Sequence, residues 1–271
     1  MESAIAKALK LDSEPVAVLF TDDKPTDAGQ FVKGAWGCVM FMFAAATKGK
    51  TAVFDRESFG CQGGGVGLGF GNAYEAFPGG IPGFCGFLSS GNDSDPVGRA
   101  IGEKMRAAGA REEFVGHYLH GERYKKNPEL VEKFVKTVPI TDVPTRYVMM
   151  KPLSQVDPAK EEPVSVSFLV NPDQLSALTI FANYDKPGLE NVAAPYVAAC
   201  QVVGIMSYAE AQAEHPRCLI GLTDISARKY LKSQGARDKL TFTIPFHRLL
   251  EMEGNVAGSF FEGQTWADVI A

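Results

Sequence analysis

Four cysteines carry the clearest chemical possibility in this sequence: Cys38, Cys61, Cys200 and Cys218. None belongs to a CxxC pair. Cys38 lies in the apolar run GAWGCVMFMFAAAT and Cys200 in a second one, APYVAACQVVGIM. Cys61 follows the strand-like TAVF, and Cys218 opens the strand-like CLIGL. Each half of the chain thus supplies one thiol from an apolar helix and one from a strand edge. Thiolates converging on one point hold zinc or a [4Fe–4S] cluster, and the ligands need not be neighbours in sequence. Large apolar side chains around Cys38 and glycines after Cys61 suit a bulky cluster, which needs a dry pocket with amides aimed at its sulfurs. The expected group is therefore a [4Fe–4S] cluster, with zinc as second choice. The plainer account is four thiols used as small buried apolar residues.

A glycine-rich segment begins at the second of these cysteines: CQGGGVGLGFGN, Cys61 to Asn72. It lacks the Lys-Ser or Lys-Thr of a phosphate loop and is no clean dinucleotide fingerprint. If extended from Gly65 onward, one face would be bare backbone, open to a flat ligand. A tight turn with close packing is the competing account. Gly63, Gly64, Gly65 and Gly67 are the candidate cofactor-binding residues. Cys85, in the loop FPGGIPGFCG, has no counterpart in the second half and stands as a reserve ligand or a plain loop thiol. His117 and His120 share a helix face at a metal-competent spacing, but the charged residues around them read as a solvated face. His215 could stand behind Cys218, and His247 reads as a helix-start residue. In GLTDISARKYL, Asp224 or Ser226 caps a helix near Arg228 and Lys229, which would suit an anion or simply capping. No catalytic residue is identified.

The elements that must position these residues read as alternating strands and helices, hence α/β or α+β. SEPVAVLF (Ser13 to Phe20) resembles EEPVSVSF (Glu161 to Phe168), each a strand with proline at its entry. The offsets are 148 residues for Pro15 and Pro163, 162 for Cys38 and Cys200, and 157 for Cys61 and Cys218. Such agreement predicts two related halves, a possible internal duplication, packed as one unit. The polar, proline-rich stretch Pro152 to Pro163 marks the boundary: residues 1–151 form the first half, with an extra helical insertion, and residues 152–271 the second. Helices are predicted from Pro96, capped by Ser94 or Asp95, to about Ala108, from Asn127 and Pro128 to about Lys136, from Asn171 toward Tyr184, and from Pro195 through Cys200. Strands are predicted at Arg146 to Met150, Val164 to Val170, Cys218 to Leu222 and Leu240 to Ile244.

A net charge of −5 argues against a broadly electrostatic nucleic-acid binder. The apolar run Ala35 to Ala46 is too short to span a membrane, and MESAIAKALKLDSEP carries no apolar signal core. An odd number of scattered cysteines then points to a reducing cytoplasm. The expected partners are a small-molecule ligand or a redox partner, with no nucleic acid and no membrane; an oligomer is compatible with the sequence.

PVAVLF, the Cys38 helix, CQGGGVGLGFG, the Cys200 helix and the ending DISARKYL…FTIPFHRL together resemble the uncharacterised ArCR family of bacteria and archaea, a domain of unknown function. The resemblance covers nearly the whole chain. It implies a prokaryotic protein with a cysteine-bearing site, and brings no activity with it. From the residues themselves three functions are expected: an iron–sulfur or metal-centre protein in electron transfer or redox-linked small-molecule chemistry, a metal-free binder of an anionic small molecule, or a thiol enzyme, for which Cys61 would be the reactive group.

Overall fold

The computed structural model describes residues 1–271. The chain divides into two compact units, one made of Met1–Phe70 with Thr141–Ala271 and the other of Gly71–Ile140.

The first unit is built on a seven-stranded mixed sheet. It begins with α1 (Ala4–Ala8), β1 (Val16–Thr21), α2 (Val39–Ala46), β2 (Ala52–Phe54) and α3 (Gln62–Gly67). The second unit contributes α4 (Gly80–Leu88), α5 (Pro96–Ala107), α6 (Glu112–His120) and α7 (Pro128–Thr137). The chain returns to the sheet with β3 (Tyr147–Pro152) and β4 (Ser165–Val170), then α8 (Pro172–Phe181), β5 (Val192–Ala193) and α9 (Ala199–Gln201). A π-helical stretch, Val202–Met206, runs on into α10 (Ser207–Ala211). It is followed by β6 (Cys218–Gly221), α11 (Ile225–Leu231), β7 (Leu240–Pro245), α12 (Phe246–Gly254) and α13 (Gln264–Ile270).

The sheet order is β2-β3-β1-β4-β7-β6-β5. All neighbours are antiparallel except β5 and β6. The two look-alike strands are the centre of this order: β1 pairs with β4 through Val16 opposite Ser167 and Val18 opposite Ser165. The sheet is therefore continuous across the Pro152–Pro163 segment. On one side of the β1–β4 pair lie β3 then β2, and on the other β7 then β6. Apart from α4–α7 on the first and α8 and β5 on the second, each side runs strand, helix, strand, helix, strand along the chain.

Pleating sends alternate residues to opposite faces. Val16 and Val18 of β1 join Val39, Met40 and Phe43 of α2, Leu68, Cys200, Val203 and the α11 residues Ala227 and Leu231. Ala17 and Leu19 face the opposite layer, with Ile5 of α1, Leu178 and Phe181 of α8, Leu249 of α12 and Trp266 of α13. Helices thus cover both faces, which is why the strands are apolar almost throughout. The exception is a row of hydroxyls under the π-helical stretch: Ser165, Ser167, Thr241 and Thr243, all fully buried. Ser165 Oγ donates to the Val203 carbonyl at 3.1 Å, and Ser167 and Thr243 share a 2.8 Å bond.

The cap chemistry acts as expected. Asp95 accepts from the amides of Val97 and Gly98 with Pro96 in the first turn, and Asn171 forms a capping box with Gln174. The extra helical material of the first half is Gly71–Ile140. It closes on its own aromatic cluster of Tyr74, Phe77, Phe84, Phe87, Phe114 and Tyr118. Cys85 is buried inside this unit on α4. The Cys200 helix starts at Ala199, later than Pro195, and the glycine-rich segment is helical between Gln62 and Gly67 where an extended face was one expectation.

Candidate functional site

Three of the four cysteines share one face of the sheet. Cys38 is the N-cap of α2, Cys61 is the N-cap of α3, and Cys200 lies in the first turn of α9. The residue before each of the first two is a glycine, and these glycines meet. A Cβ on Gly60, whose φ is +82°, would lie 2.3 Å from the Gly37 carbonyl oxygen. A Cβ on Gly37 would lie 2.4 Å from the Phe31 ring. No side chain fits at either place, so the two loops run against each other and set Cys38 beside Cys61.

The third thiol is brought in by backbone contact between helices. A Cβ on Gly67 of α3 would stand 2.9 Å from the carbonyl carbon of Cys200, and one on Gly204 in the π-helical stretch would stand 1.9 Å from the Gly67 carbonyl oxygen. The glycines of α3 are therefore a crossing surface. Gly64, Gly65 and Gly67 are buried, and a Cβ on Gly64 would meet Val39 at 2.7 Å and the Phe59 carbonyl at 2.8 Å. Gly63 differs: the nearest atom to a Cβ there is the Cys61 sulfur, at 4.0 Å. Its carbonyl accepts from the Cys200 thiol at 3.4 Å. Close packing accounts for Gly64 and Gly67, which leave no face for a flat ligand, while Gly63 borders the thiols.

The π-helical stretch starts two residues after Cys200. Widening the helix leaves carbonyls without their usual i+4 donors, and such stretches recur at functional sites. Ser207 Oγ lies 3.0 Å from the Val203 carbonyl and 2.8 Å from that of Gly204, while Ser165 reaches Val203 from the sheet. Of the hydroxyl row under this helix, Ser165 thus bonds the Val203 carbonyl, whereas Thr241 Oγ1 has no hydrogen-bond partner.

A carboxylate joins the three thiols. Asp224 is the N-cap of α11; its Oδ1 accepts the Ala227 amide at 2.7 Å and its Oδ2 the Ala199 amide at 2.5 Å. The second bond ties Asp224 to the residue before Cys200. The turn leading to it is strained: Leu222, fully buried, has φ +59°. Arg228 holds that turn by donating to the carbonyls of Leu222, Arg237 and Lys239. Its guanidinium is spent on backbone rather than aimed at an anion, which removes the main cation from the anion site read at this helix start.

The electrostatics of the four groups are mutual. Burial first, then the neighbouring Cys61, push the Cys38 thiol up to about 12, although the Met40 and Phe41 amides favour its anion without closing a capping hydrogen bond. Burial also pushes Cys61 up, against the Gly64 amide that donates to its sulfur at 3.3 Å. Cys200 is raised well above an ordinary thiol by burial and by Cys61, Cys38 and Asp224. Burial likewise raises the Asp224 carboxyl. All four groups resist ionisation, the reverse of the depressed pKa a thiol nucleophile needs.

Cys218 lies elsewhere. Its side chain joins Phe168, Phe242 and Ile244 in the core on the opposite face of the sheet. Burial raises its thiol to about 12, with Arg248, Glu210 and Asp185 as its charged neighbours. The four-sulfur convergence expected from the sequence is therefore a three-sulfur one, because strand alternation turns Cys218 away. No group of three or more His, Cys, Asp or Glu side chains is placed so that it could hold a metal ion. Of the histidines, His117 lies on the surface of the second unit, 3.6 Å from Glu122, and His215 is exposed beside Glu214. No helix is long and apolar enough to cross a membrane.

A family model described as uncharacterised ArCR (DUF169) matches residues 4–255. The chain belongs to the ArCR family. The match takes in every strand and all four groups of the site, so the family resemblance carried by the cysteine helices and the glycine segment extends across this fold. No curated protein and no solved structure matches the chain.

Proposed function

We propose that this ArCR-family protein binds an iron–sulfur cluster, with Cys38, Cys61 and Cys200 as ligands, and uses it in electron transfer or redox-linked small-molecule chemistry. The observation that carries this reading is the convergence of three thiols from two distant stretches of chain, held by the Gly37–Gly60 and Gly67–Gly204 backbone contacts. Close glycine contacts forbid any side chain, so the chain spends four positions on placing these sulfurs. The protein alone leaves the thiols protonated and mutually repelling on ionisation; a cationic metal centre is the partner that reverses this, since a coordinating thiol is deprotonated outright.

A cluster is preferred to a single ion because no three of these side chains are grouped so that they could hold one metal ion. Sulfurs around one zinc ion approach to about 3.8 Å, given Zn–S bonds of about 2.3 Å in tetrahedral geometry. A cluster places its own atoms between its ligands and so takes a more open set. The Gly64 amide donates to the Cys61 sulfur, and Gly63, whose Cβ position has no atom nearer than 4.0 Å, leaves clearance beside Cys61.

Anaerobic purification from iron-supplemented cells, followed by iron and acid-labile sulfide assays and a visible spectrum, tests the proposal. Broad absorption near the visible–ultraviolet edge with iron and sulfide in equal amounts is expected. Protein free of iron and sulfide after anaerobic reconstitution overturns it.

A further inference from the structure

An aromatic face borders the elements that carry the thiols. Trp36, two residues before Cys38, meets the Tyr230 ring of α11 edge-on at 5.4 Å, and Phe41 of α2 lies 6.4 Å from the same ring. Trp36 is 46% exposed and Phe41 39%. We propose that this face docks an acidic electron-carrier protein, with the three rings at its centre and lysines around them. That the partner carries electrons rests on the cluster reading above; that it is acidic rests on the charge of the face.

Charge is the first argument. The chain carries a net −5, yet no acidic residue occurs between Asp27 and Asp55 or between Asp224 and Asp238. These two stretches hold α2 and α11, which pack together. They expose Lys33, Lys48, Lys50, Lys229, Lys232 and Arg237. Lys48 Nζ donates to Gln234 Oε1 at 3.0 Å, which ties the end of α2 to the turn after α11. Lys229 Nζ lies 6.0 Å from the centre of the Tyr230 ring, and Lys33 pairs with Glu57. A basic face on an acidic protein selects an acidic partner and steers its approach.

Position is the second. The Phe41 amide donates to the Cys38 carbonyl at 2.9 Å, and Tyr230 packs against the core layer that contains Cys200. α11 starts after Asp224, which accepts the amide of Ala199, next to Cys200. A partner seated here stands over elements that carry two of the three thiols.

The form of the face is the third. Rings braced edge to face lose little freedom on binding, and exposed Trp and Tyr are the residues that dominate protein interfaces. A lipid surface instead takes up an apolar stripe along a helix. α2 turns its own stripe, Val39, Met40, Phe43 and Ala44, into the core.

The test uses the full chain, reconstituted anaerobically, with iron measured in every sample. A plant-type [2Fe–2S] ferredoxin is the acidic probe, and binding is followed by surface plasmon resonance. Saturable binding is expected at about 0.01 M salt and should weaken at least about tenfold at about 0.15 M, where screening shortens the reach of exposed charges. Lys229→Glu combined with Lys232→Glu should weaken binding at least about tenfold, mainly through slower association. Trp36→Ala should weaken it through faster dissociation. Lys7→Glu combined with Lys10→Glu, at α1 in the opposite core layer, changes the net charge equally and should bind like wild type. Wild type that ignores ferredoxin, binding indifferent to Lys229 and Lys232, or retention on phosphatidylserine vesicles in place of ferredoxin overturns the docking face. Ferredoxin binding with this variant pattern by protein that holds no iron sinks the cluster reading and leaves the face as a docking site for an acidic protein. Iron-loaded protein that binds no ferredoxin does the reverse.

Discussion

Cys61 and Asp224 both lie near enough to the thiols of Cys38 and Cys200 for their charge to raise them. Each caps the helix that follows a strand, and each accepts the amide three residues on: Gly64 at 3.3 Å for Cys61 and Ala227 at 2.7 Å for Asp224. One presents a soft sulfur and the other a hard carboxylate oxygen.

The thiols should divide sharply in their effect on metal content. Replacement of Cys38, Cys61 or Cys200 by serine is expected to remove most iron and sulfide, because each loses one of three soft ligands. Cys85→Ser and Cys218→Ser should retain both, since Cys85 is packed inside the Gly71–Ile140 unit and Cys218 in the opposite core layer. Iron and sulfide assays on the five variants decide this.

Gly204→Ala should be among the most damaging small substitutions in the chain. Its Cβ would stand 1.9 Å from the Gly67 carbonyl oxygen, and backbone rather than a flexible side chain must move. A loss of roughly 1–3 kcal/mol or more is expected in urea unfolding, as for overpacked cores. Gly254→Ala, with nothing near its Cβ, is the matched control and should leave the midpoint within about 0.5 kcal/mol.

Arg248 is buried, with its guanidinium on both Asp185 oxygens, on Glu251 at 2.7 Å and on the Ala182 carbonyl at 3.3 Å. Arg248 holds both carboxylates below their ordinary values of 3.8 and 4.5. A depressed carboxylate pKa adds stability above the unfolded value that disappears as pH falls through the folded one. Arg248→Leu should therefore cost most near neutrality, about 2–3 kcal/mol after allowing for the partly exposed Asp185. The deficit should narrow below pH 4.5, once the carboxylates take up protons. Urea midpoints measured for wild type and variant across that range check the sign.

Phosphate and sulfate should leave the melting temperature unchanged beyond their general salt effect. Arg228 is committed to three carbonyls that hold the Leu222 turn, at 3.3, 3.0 and 2.6 Å. Arg228→Met should instead lower the melting temperature by freeing that turn, by an amount set by about 1 kcal/mol per lost hydrogen bond. A saturable anion-dependent rise in thermal-shift assays would revive the anion-binding alternative.

Much of the framework was written locally in the sequence. Proline-led, β-branched strands and the Asp95, Asn127 and Asn171 caps involve neighbours in the chain, and these elements lie within a few residues of where their patterns place them. Cys38 and Cys200 were both legible as thiols at the starts of apolar helices, and both lie in the same core layer. The glycine segment was ambiguous. Its glycines specify close approach in either a helix or an extended form, and only the presence of Val39, Cys200 and Gly204 on the far side selects the helix.

The fourth member of the site was decided by tertiary structure alone. A strand sends successive side chains to opposite faces, so a cysteine at a strand's first residue points to one layer or the other according to register. Pairing of β6 with β7, Leu219 opposite Thr243, turns Cys218 into the layer of Phe242 and Ile244. The same pairing carries the chain on to Asp224, which reads in sequence as an ordinary cap. What the sequence determined were the residue types and the local elements that carry them. Which face each side chain meets depends on long-range pairing, and no local pattern contains it.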